Sequence, residues 1–237
     1  VVAGASGGIG QALCAALLDR GAPVVALSRR APAEWIEGPD RLFIPTDILD
    51  EASLAIAAAR VRALGATWGP PRLIIAATGV LHSATLAPEK TYRALSAVAL
   101  AEAFAVNAIG PALLAKHFLI LTPRAGRSVF AALSARVGSI GDNRLGGWHG
   151  YRASKAALNQ ILRTLSIEHA RARPEGIVVA LHPGTVATGL SAPFSRGAPA
   201  AVFTPAVAAA HLLRVIDGLT PAMSGGFFAL DGSPIPW

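Results

Sequence analysis

A single cysteine, Cys14, stands in a chain of 237 residues, which rules out an internal disulfide framework and suits a reducing, cytoplasmic setting. It lies among small residues of a helical stretch, where packing rather than reactivity is expected. Charge is scarce as well: charged residues make up 15% against 53% hydrophobic, so the chain can build a sizeable core and is not disordered. Apolar runs are broken by Gly, Pro or a charge before they reach the length of a membrane span, and no membrane segment is expected. No Cys, His and Asp cluster has metal-ligand spacing, so no metal is expected. The net charge of +7 comes from scattered arginines with one tight doublet, Arg29-Arg30. Without a basic stripe interleaved with aromatics, nucleic acid is not an expected partner; a small anionic ligand is. The first residues, Val1-Val2-Ala3, already read as a strand, so the natural amino terminus is expected to lie upstream, and the lack of a targeting peptide carries little weight.

What is present is a regular alternation. Strand, glycine turn and helix follow one another from Val1 through Gly4-Ala5-Ser6-Gly7-Gly8-Ile9-Gly10 to Arg20. Gly4, Gly8 and Gly10 let the backbone turn tightly and approach a pyrophosphate, whose charge is met by the helix N-terminus. The same residues fit Gly-x-Ser-x-Gly, the nucleophile elbow of a serine hydrolase at Ser6, but an elbow needs earlier strands and an oxyanion loop. A second apolar run, 23–27, ends in Ser28-Arg29-Arg30 with no acid nearby. A carboxylate there would hold the ribose hydroxyls of NAD, whereas arginine suits the 2′-phosphate of NADP. Further strands are expected at 42–44, 72–77, 127–133, 177–181 and 227–230. Helices are expected at 51–64, capped by Asp50, at 92–121 with a bend at Gly110-Pro111, and at 205–217. Asn107 interrupts the long Ala-rich helix and, on so apolar a segment, must be hydrogen-bonded. The stretch 189–204, rich in Gly, Pro and Ser, reads as a lid. Its Phe194 and Phe203 suggest an apolar or aromatic substrate. No repeat, linker or boundary divides the chain, so residues 1–237 are read as one domain: a parallel sheet with helices on both faces.

Tyrosine and lysine are rare here; Tyr92 and Tyr151 are the two tyrosines, and Lys90, Lys116 and Lys155 the lysines. Against that background Tyr151-x-x-x-Lys155 stands out, since residues four apart share a helix face. A phenol has an unperturbed pKa of about 10 and needs help to exchange protons near neutrality. A neighbouring ammonium is expected to favour the phenolate. Taken alone, the pair also describes the surface of an ordinary amphipathic helix.

Taken together, Gly4-x-x-x-Gly8-x-Gly10, Asp47, Asn107, Tyr151-x-x-x-Lys155 and Pro183-Gly184-x-x-x-Thr188 resemble the short-chain dehydrogenase/reductase family over the whole chain. Gly138-Ser139-Ile140, Gly146-Gly147 and the ending Pro236-Trp237 look like its C-factor and sniffer-type carbonyl reductase branch. The resemblance implies a single Rossmann-type α/β fold, doubly wound, with seven strands in the order 3-2-1-4-5-6-7. It also implies NADP(H) as cofactor and reversible hydride transfer between a small carbonyl and its alcohol. Tyr151 would be the proton donor, Lys155 would tune it and hold the nicotinamide ribose, and Asn107 would hold a water of the proton relay. Ser6, Ile9, Asp47, Ile48, Ala77, Gly79, Val186 and Thr188 would join the glycine turn and Ser28, Arg29 and Arg30 around the cofactor. A homodimer or homotetramer is implied, paired through the long helix and the Tyr-bearing helix.

Two positions depart from the family pattern. Its Asn-Asn-Ala-Gly is Ala76-Ala77-Thr78-Gly79 here, and the carbonyl-orienting serine of the branch falls on Ala135. Ser134 comes one residue early and Ser139 later; Ser134 is expected to take the role if a local twist turns it into the cleft. These departures motivate an alternative reading, a cofactor-binding signalling or scaffold protein with little turnover.

Overall fold

The computed structural model describes residues 1–194 and 202–237. In chain order it begins with β1 (Val2–Ala3), α1 (Gly8–Asp19), β2 (Val24–Ser28), β3 (Arg41–Pro45), α2 (Glu51–Trp68) and β4 (Leu73–Ala76). Then come α3 (Ala97–Phe104), α4 (Gly110–Phe118), β5 (Ser128–Leu133), α5 (His149–Ala172) and β6 (Gly176–Leu181). The chain closes with β7 (Thr185–Val186), β8 (Val202–Phe203), α6 (Pro205–Gly218) and β9 (Phe227–Phe228). Seven strands form one parallel sheet in the order β3-β2-β1-β4-β5-β6-β9. This is the expected doubly wound order, with β9 as the seventh strand. Two further short strands, β7 and β8, pair with each other.

The central strands β5 and β6 are buried along their whole length. That is why they read as continuous apolar runs rather than alternating ones: helices cover both faces of a parallel sheet. Strand alternation sorts their side chains between two cores. Phe130 and Ala132 pack with Leu54 of α2, Phe118 of α4 and Leu158 and Leu162 of α5. Val129, Ala131 and Leu133 pack with Leu13 of α1 and Leu212, Leu213 and Ile216 of α6. Each such Phe or Leu, fully buried, contributes roughly 1.5–3 kcal/mol. Cys14 belongs to the second core, and burial pushes its thiol up to about 11, which keeps it protonated. Asp50 caps α2 by accepting from the Ala52 N–H at 3.0 Å, and Thr204 caps α6 ahead of Pro205.

The expected helix over 92–121 is broken differently. Tyr92–Ala94 is a lone 3-10 turn, and α3 starts after Ser96, whose hydroxyl accepts from the Ala99 N–H. The chain stays helical through Gly110-Pro111. It widens into a π turn over Ala105–Ile109, and α4 follows without a break, with Pro111 as its second residue. Gly110 is needed for packing, since a Cβ there would lie 3.0 Å from Ile48 Cγ1. The continuous run Ala97–Leu121, with a mean hydropathy of 1.7, is long and apolar enough to cross a membrane by length and composition alone; a third of it is buried in the fold. Its α3 part packs against α5 and its α4 part against α2.

The lid expected at 189–204 lies partly outside the described residues. Of it, a 3-10 turn at Ala192–Phe194 and the strand β8 are described. All these connections leave the carboxyl ends of the strands on one side of the sheet, where ligands bind in open α/β folds.

Candidate active site

At that edge the chain turns out of β1 at Gly4, whose φ of +81° is left-handed; a Cβ there would lie 2.8 Å from the Ala77 carbonyl. A Cβ on Gly10 would collide with the Gly4 carbonyl oxygen, so Gly10 shapes the turn from within rather than lining a cavity. Gly8 opens α1 and faces Thr188, whose methyl would be 2.9 Å from an added Cβ. The result is a cradle that only glycine leaves open.

Two cavities meet over this cradle. The first is bounded by Gly4, Ser28, Arg29, Asp47, Ile48 and Val106. The second holds Gly8, Ile9, Ser134, Tyr151, Lys155, Pro183 and Thr188. Ser6, Gly7, Ala77, Thr78 and Gly79 line both, which makes them one cleft. Other expected cofactor residues stand back from it. Arg30 is exposed beside Arg29, and its carbonyl accepts the Ser28 hydroxyl at 2.7 Å. Gly184, at φ +76°, packs on Leu230 and Phe203, and Val186 is buried in the pairing with β8. The cleft has the shape and chemistry for a dinucleotide: glycine where backbone must be approached, a helix N-terminus at α1, and a free arginine at the end of β2. Thr78 lines it as well, with its hydroxyl oxygen buried away from the opening and without a hydrogen-bond partner. Among the described residues no group of His, Cys, Asp and Glu is placed to hold a metal ion.

The chemistry-bearing side chains lie on α5 and the end of β5. α5 begins at His149, after Trp148 in the left-handed region (φ 51°). Glu89, buried, receives the Gly150 N–H at 3.1 Å on its carboxylate and the Trp148 N–H on its carbonyl. It thus fixes the helix that carries Tyr151. Lys155 is buried, and its ammonium donates to the Leu133 carbonyl at 2.7 Å, 5.9 Å from the centre of the Tyr151 ring. Burial pulls the Lys155 ammonium down to about 7 and pushes the Tyr151 phenol up to about 12. The expected drift toward phenolate is therefore not found. Desolvation dominates both groups, and the ammonium is turned toward a backbone carbonyl.

Asn107 is fully buried in the π turn. Its Oδ1 accepts from the Val80 N–H at 2.8 Å, while Nδ2 donates to the Val80 carbonyl at 2.9 Å and to Ser154 Oγ at 3.0 Å. The side chain pins the loop after β4 to α5 and has no N–H left for a water. Ser134, buried at the mouth of β5, lines the cleft and donates to Asn159 Oδ1 at 2.7 Å. Ser139 accepts from the Asp142 N–H at 3.1 Å and lines a separate depression with Ile140 and His149. Trp148, by contrast, meets Tyr151 edge-on at 6.3 Å and Phe194 at 5.4 Å, and Phe194 meets His82 at 5.7 Å.

The sequence model described as short chain dehydrogenase matches residues 1–198. This chain belongs to that family. Among relatives of this short chain dehydrogenase, the C-signal protein of Myxococcus xanthus is 39% identical over 139 residues, which cover 58% of this chain and 78% of that one. The 1-hydroxy-2-glutathionyl-2-methyl-3-butene dehydrogenase of Rhodococcus sp. (strain AD45) is 30% identical over 237 residues, covering 100% and 98%. An NADPH-bound carbonyl reductase from chicken fatty liver superposes with a TM-score of 0.83 at 27% identity, covering 100% of this chain and 97% of that one. The carbonyl reductase Sniffer of D. melanogaster shares the fold at a TM-score of 0.83 and 23% identity, covering 100% and 98%.

Some site residues of this short chain dehydrogenase escaped the sequence reading. Thr78 lies inside the departure Ala76-Ala77-Thr78-Gly79, where nothing local marks its side chain. Glu89 follows Pro88 in a stretch with no periodicity, and nothing local marks its carboxylate as a cap for a helix so far along the chain. Asn159, two turns beyond Tyr151, had a signal: it is a polar residue on the face of α5 that carries Lys155.

Proposed function

We propose that this short chain dehydrogenase interconverts a small, apolar or aromatic aldehyde or ketone and its alcohol, with NADP(H) as cofactor. The observation that carries the reading is one cleft in which Tyr151, Lys155 and Ser134 adjoin a glycine cradle bordered by Arg29. Gly4, Ser6, Gly8 and Ile9 would receive the pyrophosphate, Asp47 and Ile48 the adenine, Arg29 the 2′-phosphate, and Lys155 the nicotinamide ribose. Bound there, the cofactor supplies a hydride to the carbonyl carbon.

The protein's part is the proton and the geometry. Tyr151, held as a phenol by burial, gives its proton to the carbonyl oxygen as charge develops there. A phenol pushed up to about 12 is in the acid form at neutral pH, which favours the reducing direction. Ser134 donates a second hydrogen bond to the same oxygen. Lys155 placed near the ring stabilises the phenolate left behind, and the Leu133 carbonyl holds the ammonium in place. With the Asn107 carboxamide committed, its part is to hold the loop after β4 against α5 beside Tyr151 and Lys155. Trp148, Phe194 and His82 supply the aromatic wall for the substrate; Phe203 packs on His211 instead. Exposed Val98, Ile109 and Ile120 on the α3–α4 run and Ile167 on α5 support a homodimer or homotetramer. A buried, protonated thiol at Cys14 goes with a cytoplasmic setting.

A second reading is favoured by one observation, the Ser134 proton given to Asn159 rather than to the cleft; the name C-signal of one relative points the same way. In that reading the chain binds the cofactor as a signalling or scaffold protein and turns over little. Oxidation of NADPH and of NADH with a panel of aldehydes and ketones separates the two. Steady NADPH consumption with aryl or alkyl carbonyls supports the enzyme, and tight NADPH binding without consumption supports the scaffold. The hydrolase reading at Ser6 loses its footing, since no histidine or carboxylate among the described residues is hydrogen-bonded to that hydroxyl, which lines the cofactor cleft instead.

A further inference from the structure

Asn159 stands one helical turn beyond Lys155 and two beyond Tyr151, on the same face of α5. Successive turns of this helix grip successive residues at the end of β5: Lys155 holds the Leu133 carbonyl and Asn159 holds the Ser134 hydroxyl. The second grip has an unexpected polarity. Ser134 Oγ lies 2.7 Å from Asn159 Oδ1, so the serine proton points into α5 rather than into the cleft. Meanwhile Asn159 Nδ2 is buried with no acceptor, and the residue as a whole is only 2% exposed. A buried N–H without a partner is the rarer and costlier kind of unsatisfied group.

Half a turn of the carboxamide about its last bond exchanges the oxygen and the nitrogen. Nδ2 then donates to Ser134 Oγ across the same gap, and the orphaned donor is satisfied. The serine proton is freed to swing toward a carbonyl oxygen in the cleft. With a substrate carbonyl in the cleft, Ser134 Oγ accepts from Nδ2 and donates to the substrate, while Oδ1 is left without a partner, which is less costly than an unpaired N–H. We propose that Asn159 is a positioning residue that sets the polarity of Ser134: with its carboxamide turned so that Nδ2 donates to Ser134 Oγ, it directs the serine proton toward a carbonyl bound in the cleft. This rests on the reading of Ser134 as the polarising hydroxyl, and the test keeps the two apart.

The experiment compares Ser134→Ala, Asn159→Asp, Asn159→Leu and each Asn159 variant combined with Ser134→Ala, in NADPH-dependent carbonyl reduction and in NADPH binding. Ser134→Ala alone should lower kcat by about 10²-fold, the worth of one donor to a developing oxyanion. No loss there would overturn the reading of Ser134, and this inference with it. Asn159→Asp keeps the size but makes the partner an acceptor that fixes the serine proton, so kcat should fall about as far as in Ser134→Ala. Activity should return as the pH is lowered and the new carboxyl gains a proton to donate, a recovery that a merely structural role would not give. Asn159→Leu, neutral and of similar volume, should fall between the wild type and Ser134→Ala, which keeps the test open should the buried acid prevent folding. In the Ser134→Ala background neither Asn159 change should lower kcat further, and NADPH affinity should stay within about twofold throughout, since coupled residues are non-additive. Additive losses, or full activity in both Asn159 single variants, would overturn the inference while leaving the role of Ser134 standing.

Discussion

Replacing Lys155 with methionine should make the unliganded protein less sensitive to pH, in a direction and by an amount that the structure sets. The ammonium is buried, with the Leu133 carbonyl as its hydrogen-bond acceptor, and titrates at about 7 instead of 10.5. In the unfolded chain the lysine keeps its proton throughout the neutral range; in the folded chain it begins to lose it near pH 7. The unfolded state therefore binds more protons between these values, and stability rises with pH across that window. Below about pH 7 the destabilisation is at its full size, roughly 5 kcal/mol at 1.36 kcal/mol per pKa unit. Between pH 6 and 8 the wild type should gain roughly 1.4 kcal/mol from this residue by the same linkage. For a domain of this size that is about 3–6 °C in melting temperature. Lys155→Met has no such proton to lose, and its unbranched chain suits the same buried space. The assay is thermal unfolding of both proteins without cofactor at pH 6 and pH 8, read as the difference between them so that other groups cancel. The methionine variant should be the more stable at pH 6, with its lead shrinking by about 3–6 °C at pH 8. A lead that does not change with pH would refute the claim that burial, rather than pairing, governs Lys155.

Arg29→Ala should erase most of a preference for NADPH over NADH of at least about tenfold, the worth of one charge-assisted hydrogen bond. Equal dissociation constants for the two cofactors in the wild type would contradict the assignment of Arg29. Gly8→Ala puts a methyl 2.9 Å from Thr188 Cγ2; because that methyl sits on a side chain, the fold should survive while NADPH affinity drops at least about tenfold, the cradle being filled. Calorimetric titration checks it, and unchanged affinity would mean that the pyrophosphate does not approach Gly8. Ser134→Ala should lose more turnover than Ser139→Ala, because Ser139 is tied to Asp142 outside the cleft; the reverse order in kcat would move the polarising role to Ser139.

Much of this molecule was legible in its sequence because the relevant signals are local. The apolar runs of β2, β4, β5 and β6 lie buried between helices, so their composition announces a parallel sheet. The spacing of Gly4, Gly8 and Gly10 fixes the turn whatever follows. Tyr151 and Lys155 sit on one helix and needed no tertiary information to be paired. What was misread depends on long-range contacts or on solvent. Proximity in sequence suggested that Lys155 would draw Tyr151 toward phenolate, but the protonation of both is decided by burial, to which β5 and the cleft walls contribute. Asn107 was foreseen as hydrogen-bonded, yet its partners Val80 and Ser154 come from two other segments, and they take up the carboxamide. Pro111 pointed to an interruption, and the π turn that precedes it depends on hydrogen bonding that no local residue pattern marks. The cap that Glu89 gives α5 joins residues far apart in the chain, and no periodicity marks it.

The central claim is that Tyr151, in this cleft, supplies the proton for carbonyl reduction. It is tested most directly by NADPH-dependent reduction of an aryl aldehyde or ketone by wild type and Tyr151→Phe, alongside NADPH binding to both. The phenylalanine keeps the ring against Trp148 and removes only the acid. The account predicts a turnover lower by roughly 10²–10⁴-fold, the range for general acid catalysis, with NADPH affinity nearly unchanged. Near-full activity in Tyr151→Phe would contradict it.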